Sequence, residues 1–395
     1  MNAYLNSLGI ISALGNSVGD VSKQLRSADR QFLTLTDQFS PGQALMLGQV
    51  DPELTTTPLE GQSRNNQLLY LATQQIETDI SAAISEFGCD RIAIILGTST
   101  SGIAETESVF RDYAGSGKFP DDFTYAHQDI GSAAEFLSRQ LGLTGPAYTI
   151  STACSSGARA LASGRRLLAM GICDAVIAGG VDTLCGLTVQ GFRALSATSA
   201  GVSNPGSKNR DGINIGEGAA VFLMTRTPGP VKLAGVGETS DAHHISAPDP
   251  SGDGAYRAMA QALLQADQKS TDIDYINLHG TGTLQNDQME CLAVNRLFGD
   301  QVPCSSTKPL TGHCLGASGA IEAAICWLLV NPAFDQPLPI HRWDGVVDDD
   351  LAPVAWVTPA DAHQPGIERA LSNSFAFGGN NVSLIFEQCA SGDVD

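Results

Sequence analysis

Short apolar, β-rich runs alternate along this chain with longer stretches of helical period, the arrangement of an α/β protein with buried strands. Arg91–Leu96, Ala147–Ser151, Asp174–Ala178, Ala219–Met224 and Val231–Val236 predict strands, and Gly131–Leu141 and Ser155–Met170 predict helices among them. The second half repeats the theme, with strands at Asp274–Leu278, Val302–Ser306, Arg369–Ser374 and Asn381–Glu387 and helices at Tyr256–Gln265, Gln285–Phe298 and Gly316–Leu329. In both halves a small-residue turn bearing a reactive side chain stands between a buried strand and a helix. This grammar suggests an internal duplication joined near the turn signal Thr227–Pro230, dividing the chain into 1–229 and 230–395. Gly201–Gly212 and Ser246–Gly254 are polar, Gly/Pro-rich loops of the kind that carry function on a rigid scaffold. The terminal ASGDVD is expected to fray.

Composition narrows the class. At 395 residues the chain exceeds the ~250–300 at which one core stops growing, so two lobes are expected. Hydrophobic residues at 43% and charged residues at 16% exclude a disordered, collagen-like or coiled-coil chain. Twenty-two basic against 42 acidic residues give a net charge of −20, which repels nucleic acid and anionic membrane surfaces. Nine cysteines form no CxxC pair, which argues against structural zinc and for thiols in a reducing cytoplasm. The longest apolar candidate, Ala320–Val330, contains Glu322 and falls short of the ~18–20 residues that span a bilayer. The start lacks the basic and apolar regions of a signal peptide. A cytoplasmic protein without membrane insertion is expected.

Candidate chemistry gathers at strand-to-turn junctions. Cys154 follows the strand Ala147–Ser151 and precedes a helix, where unpaired N–H groups and the positive end of the helix dipole favour thiolate over thiol. His279 ends the strand Asp274–Leu278 and opens a Gly/Thr turn. His313 stands between a strand and the helix that begins GASG, and Lys308 precedes it by five residues. The stretch Asn373–Asn381 joins two strands through Gly378-Gly379, a turn able to aim N–H groups at an anion. His243 and His244 are adjacent and have no third ligand nearby, so no metal is expected, and His127, His341 and His363 have no supporting context. Nucleophile-elbow, Walker A and dinucleotide fingerprints are absent. Only folding can gather Cys154, His279 and His313, since 279 − 154 = 125 and 313 − 279 = 34. A proteolytic Cys/His pair needs one histidine and an orienting group. Two imidazoles and a lysine suit a different task, stabilising an enolate oxygen while the cysteine holds an acyl group. A cysteine-dependent acyl hydrolase or transferase is the weaker reading.

TACSSG, GGVD, RDGINIGEGA, NLHGTGT, STKPLTGHCLGASGAIE and NSFAFGGNN occur here in one order over nearly the whole chain. In that set the sequence resembles the β-ketoacyl-[acyl-carrier-protein] synthases, in the condensing-enzyme branch of the thiolase superfamily. The resemblance implies a thiolase-like α/β fold of two similar halves in a five-layered α-β-α-β-α core. It implies decarboxylative Claisen condensation of an acyl group on Cys154 with malonyl-carrier, in fatty acid, polyketide or polyene synthesis. His279 and His313 would hydrogen-bond the malonyl thioester carbonyl, with Lys308 orienting them and Glu322 pairing with Lys308. The N–H groups of Cys154 and Phe377 would form the oxyanion hole, and Phe375 and Phe377 would gate the acyl pocket. Thr281 and Thr283 would hold the phosphopantetheine arm, with Asp287 in support. No cofactor beyond that carried arm is implied. The implied partners are acyl carrier protein and a second subunit, as a homodimer or as a heterodimer with another ketosynthase-like chain. Arg64, Arg111 and Lys118 are the candidates for a basic docking surface. Ala376 stands where the family has Gly and Asn380 where it has Thr. The alternative is a chain-length-factor-like partner subunit.

Overall fold

The structure is a computed structural model and describes residues 2–27, 31–50, 63–121, 123–362 and 366–389. His363 and the ASGDVD terminus lie outside the described residues. The first half holds β1 (Tyr4–Ile11), β2 (Thr34–Thr36), β3 (Leu45–Leu47), β4 (Ile92–Gly97), β5 (Ala147–Ile150), β6 (Ala175–Asp182) and β7 (Gly218–Thr225). Its helices are α1 (Val18–Leu25), α2 (Arg64–Gln74), α3 (Glu77–Phe87), α4 (Ile103–Ser116), α5 (Ser132–Leu141), α6 (Ser156–Ala169) and α7 (Gly186–Ala194). The second half holds β8 (Val231–Ser240), β9 (Tyr275–Asn277), β10 (Pro303–Ser305), β11 (Ala355–Trp356), β12 (Arg369–Ala376) and β13 (Asn380–Gln388). Its helices are α8 (Asp253–Ala266), α9 (Leu284–Phe298), α10 (Lys308–Thr311) and α11 (Ser318–Val330).

Reading outward from the middle of the sheet, the first half runs β1-β7-β6-β4-β5 and the second β8-β13-β12-β9-β10. Each set visits its strands in the same chain order: first, fifth, fourth, second, third. The two sets meet where β1 pairs antiparallel with β8, Tyr4 opposite Lys232 and Leu5 opposite Val231. Helices α6 and α11 pack against each other between the two sets, α6 on β6 and β4, α11 on β12 and β7. Outside them, α2, α3 and α5 cover the first-half strands, and α8 backed by α9 covers the second. The result is five layers, α-β-α-β-α. All 13 residues of α11 are buried, which is why that helix is apolar all round. Small residues bring the central pair together: a Cβ on Gly157 would lie 2.8 Å from the Ala320 nitrogen, and one on Gly319 2.9 Å from the Ala158 nitrogen.

The periodic segments fold as expected, with two instructive differences. The strand from Val231 continues to Ser240, since β13 supplies partners along its whole length. The helix expected from Gly316 begins instead at Ser318, after a tight turn over Leu315–Ala317 that Leu315 enters at φ +47°. The hydrophobic pattern does not show strands β1, β2, β3 and β11 or helices α1 to α4, α7 and α10. In α2, buried Asn65 and Asn66 hide the apolar stripe. Among the described residues, no helix is long and apolar enough to cross a membrane. All nine cysteines are free thiols.

Candidate active site

Strand β5 ends at Ile150, and the chain turns through Ala153 into Cys154 just ahead of α6. Ala153 holds φ at +51°, a region that costs a non-glycine residue energy and so marks an imposed conformation. Two hydroxyls fasten the turn. Ser156 Oγ accepts the Thr152 N–H at 2.9 Å, and Ser155 Oγ donates to the Thr152 carbonyl at 2.9 Å. The Ser155 and Ser156 N–H groups are spent on the carbonyls of Thr152 and Ala153. They are therefore not aimed at the sulfur, and the thiolate expected from the helix N-terminus is not what the site produces. Burial pushes the Cys154 thiol up to about 12, offset only in part by the Lys308 charge and by the Phe377 N–H, which donates to the sulfur.

His313 lies against this sulfur, with Nε2 3.0 Å from Cys154 Sγ. Its Nδ1 is 2.7 Å from Ser318 Oγ, and its backbone N–H donates to the Asn214 carbonyl at 2.6 Å. The His279 ring stands 5.4 Å from that of His313, at 83°. Lys308 Nζ is 3.3 Å from His279 Nδ1 and also donates to the His279 carbonyl and the Glu322 carboxylate. An ammonium only donates, so His279 Nδ1 accepts and Nε2 carries the ring proton. Burial, and then the Lys308 charge, holds both imidazoles well below the usual histidine range, so both are neutral. Glu290 on α9 accepts the N–H groups of His279 and Gly280, each at 2.7 Å. Burial pushes Glu290 and Glu322 up to about 7.

Cys154, His279 and His313 face one cavity of about 370 Å³, shared with Thr281, Thr283, Phe375 and Phe377. The Phe377 ring lies 5.5 Å from that of Phe192 near the mouth. Thr281 Oγ1 and Thr283 Oγ1 are 3.0 Å apart. Asp287 stands behind them, accepting the N–H groups of Gly206 at 2.9 Å and Gly282 at 3.2 Å. Positive φ falls on Gly378 at +84° and Gly379 at +77°, and Ala376 keeps a negative φ that its Cβ tolerates.

Other expectations separate from the site. Arg64, a candidate for the docking surface, is only partly exposed, and its guanidinium is paired with Glu217 at 2.6 Å. His244 Nδ1 accepts the N–H groups of Ser246 and Ala247, so it caps a turn. His341 is buried against Trp356 and accepts the Ser306 N–H, a structural role its local sequence did not show. The only group of metal-capable donors among the described residues is Cys154, His279 and His313, whose ligand atoms lie within 4.8 Å of one another. A cation there would meet the Lys308 ammonium and block the sulfur. Asp182, Asn214, Glu290 and Ser318 also hold the site together and are not among the candidates read from the sequence. Of these Glu290 had a signal, standing three residues after Asp287 on the same helical face.

The beta-ketoacyl synthase N-terminal domain pattern matches residues 48–228 and the C-terminal domain pattern residues 231–337. The chain belongs to the β-ketoacyl synthase family. A 3-oxoacyl-[acyl-carrier-protein] synthase 2 of Rhizobium meliloti is 39% identical over 279 residues, covering 66% of this chain and 65% of that protein. A 3-oxoacyl-[acyl-carrier-protein] synthase 2 of Coxiella burnetii is 30% identical over 411 residues, covering 97% of this chain and 98% of that protein. A solved complex of the ketosynthase ApeO with its chain length factor ApeC, from Xenorhabdus doucetiae, superposes with a TM-score of 0.92 at 43% identity, covering 98% of both chains. This β-ketoacyl synthase is thus an acyltransferase-type condensing enzyme with the thiolase-like α/β fold.

Proposed function

We propose that this β-ketoacyl synthase joins an acyl group held on Cys154 to a malonyl unit, both delivered as thioesters on the phosphopantetheine arm of an acyl carrier protein. One observation carries the assignment of roles: the Cys154 sulfur touches His313 Nε2 at 3.0 Å beside a second neutral imidazole, in one cavity. Cys154 is the nucleophile. It attacks the acyl carbonyl carbon, the carrier thiolate leaves, and the thiol proton ends on that leaving group. The malonyl thioester then enters with its carbonyl oxygen toward the Nε2–H of His279 and of His313. Its carboxylate leaves as CO2 and the enolate carbon attacks the Cys154 thioester. Expulsion of the Cys154 thiolate, which takes one proton from solvent, completes the turnover. The N–H groups of Cys154 and Phe377 hold the oxyanion of the tetrahedral intermediate.

Lys308 fixes the His279 tautomer, and Glu322 balances its charge. Thr281 and Thr283 meet the pantetheine arm, Asp287 stiffens their turn, and Phe375 and Phe377 gate the acyl pocket. The chemistry draws on no cofactor or metal of the protein's own, and a cytoplasmic setting suits its free thiols. The halves 1–229 and 230–395 are read as a duplicated unit, supported by their common strand order.

A second subunit, a copy of this chain or a ketosynthase-like sister, covers the β5 edge. That strand ends the sheet and exposes Tyr148. Nearby in sequence, α4 and the loop after it present a cluster of exposed aromatics, with Phe119 stacked on Tyr113 and edge-on to Phe110. The reading as a chain-length-factor-like partner has no observation in its favour, since the nucleophile is present and in contact with a histidine.

The test is intact mass after incubation with an acyl-carrier thioester. The expected result is one acyl adduct, absent in Cys154→Ala, and a condensation product when malonyl-carrier follows. A folded wild-type enzyme without adduct overturns the proposal.

A further inference from the structure

We propose that Ser318 sets the tautomer of His313, holding the ring proton on Nδ1 while Cys154 is a thiol and on Nε2 once the sulfur is acylated. The inference rests on the condensing-enzyme reading above and adds a positioning residue to it.

The two imidazoles are fixed by different chemistry. His279 Nδ1 faces Lys308 Nζ at 3.3 Å, and an ammonium can only donate, so that ring has one tautomer. His313 Nδ1 faces the Ser318 hydroxyl at 2.7 Å, and a hydroxyl donates or accepts by rotating about one bond. Both partners are almost fully buried, His313 at 2% exposure and Ser318 at 3%, so no bulk water competes for the contact. Neither backbone is free to drift. The His313 N–H is tied to the Asn214 carbonyl, and Ser318 opens a helix buried along its whole length. Rotation of the hydroxyl is the remaining degree of freedom.

The sulfur dictates which way it turns. Cys154 Sγ and His313 Nε2 are 3.0 Å apart with one proton between them. While the thiol holds that proton, Nε2 must accept, the ring's own proton sits on Nδ1, and Ser318 Oγ accepts it. During acylation the thiol proton passes through Nε2 to the departing carrier thiolate, and the ring is neutral again. The acylated sulfur then has no proton to give, and the incoming thioester oxygen needs an N–H. The ring proton moves to Nε2 and the Ser318 hydroxyl turns to donate to Nδ1. The exchange consumes nothing, since the tautomers differ only in which nitrogen holds the proton. When condensation expels the Cys154 thiolate, the sulfur takes the one solvent proton consumed per turnover from the cavity, and as the new thiol donates to Nε2 the ring proton returns to Nδ1.

The experiment is nitrogen-15 NMR of imidazole-labelled enzyme, resting and acylated on Cys154 with a short acyl thioester. The expected spectra show His313 protonated on Nδ1 at rest and on Nε2 in the acyl-enzyme, with His279 protonated on Nε2 in both. Ser318→Ala should abolish the exchange and slow single-turnover acylation about tenfold, the scale of one lost hydrogen bond. Ser318→Thr, which keeps the hydroxyl, should restore both. One unchanged His313 tautomer in the two wild-type states overturns the inference, whether or not the alanine variant folds, and so do unaltered spectra in Ser318→Ala. A wild-type Cys154 that takes no acyl group overturns the condensing reading and this inference with it. An adduct without a tautomer change overturns this inference alone.

Discussion

The carboxylate of Asp182, at the end of β6, accepts the backbone N–H of Gly316 in the turn that leads into α11, so one side chain ties the two halves together. The same carboxylate accepts the N–H groups of Ser99 and Thr100 at 2.8 Å and the hydroxyls of Thr98, Ser99 and Thr100. It is fully buried, and among the described residues no cation is paired with it. Backbone and hydroxyl dipoles do the work of a counter-charge.

Asp182→Asn keeps the volume but turns one acceptor into a donor facing other donors. At least two of these contacts are lost, which should cost roughly 2–4 kcal/mol. The urea midpoint should fall accordingly. A midpoint within error of wild type would show that the network is slack.

Replacement of Gly319 by Ala tests the central helix pair. The added Cβ would come within 2.9 Å of the Ala158 backbone nitrogen and 2.8 Å of Ser374 Oγ. Backbone has to move, and overpacking of this kind costs about 1–3 kcal/mol. Because α6 carries Cys154 at its head and α11 carries Ser318, the shift should also slow Cys154 acylation. Stability loss with unchanged acylation would mean that the helices part without disturbing the site.

Two pH dependences follow from burial. Alkylation of Cys154 by iodoacetamide requires the thiolate, and burial raises the thiol to about 12. The rate should climb about tenfold per pH unit from 7 to 10 without a plateau. A plateau below pH 8 would mean a stabilised thiolate at rest.

The second concerns Glu290, raised by burial to about 7 from an ordinary value of 4.5. The folded state binds this proton more tightly than the unfolded one. Its contribution to stability is therefore full below about pH 4.5 and lost as pH rises through about 7, a window worth roughly 3 kcal/mol. Glu290→Gln should flatten the urea-midpoint profile across that range. An unchanged slope would assign the slope to Glu322 or Asp287, which burial also raises.

Much of this site was legible in the chain. Cys154 and His279 each sit where an apolar strand breaks into small residues, and His313 heads the small-residue run that leads into α11, local signals that need no fold to be seen. What the chain could not show depends on contact. Whether a thiol at a helix head is a thiolate turns on which N–H groups are free, and here the Ser155 and Ser156 groups are bonded within the turn. Arg64 reads as a surface cation until Glu217, 153 positions away, is found against it. Ser318 looks like one more small residue of GASG until the turn at Leu315 brings its hydroxyl under the His313 ring.

The histidines should separate the half reactions. In the proposed mechanism His279 meets the malonyl thioester, and its Nδ1 is bonded to Lys308 and not to the sulfur, so His279→Ala should lower decarboxylation of malonyl-carrier by about 10²–10³-fold and leave self-acylation within a few fold. His313 touches the sulfur and, in the proposed mechanism, also the enolate oxygen, so His313→Ala should lower both. Equal losses in the two variants would show that the imidazoles share one role.

The buried Lys308–Glu322 pair offers the sharpest separation of stability from chemistry. Both side chains are almost fully buried, and their ammonium and carboxylate are in direct contact. Lys308→Met leaves Glu322 without its cation, which should cost about 3–5 kcal/mol unless the carboxyl takes up a proton. Burial has already raised that carboxyl to about 7, so the loss should shrink as pH falls from 8 to 6. Lys308→Met with Glu322→Leu removes both charges and should recover most of the urea midpoint, as replacement of buried pairs by apolar side chains commonly does. It should not recover decarboxylation, because His279 Nδ1 has still lost the donor that keeps its proton on Nε2. Recovery of stability and decarboxylation together would show that Lys308 holds the fold and leaves the tautomer of His279 to other contacts.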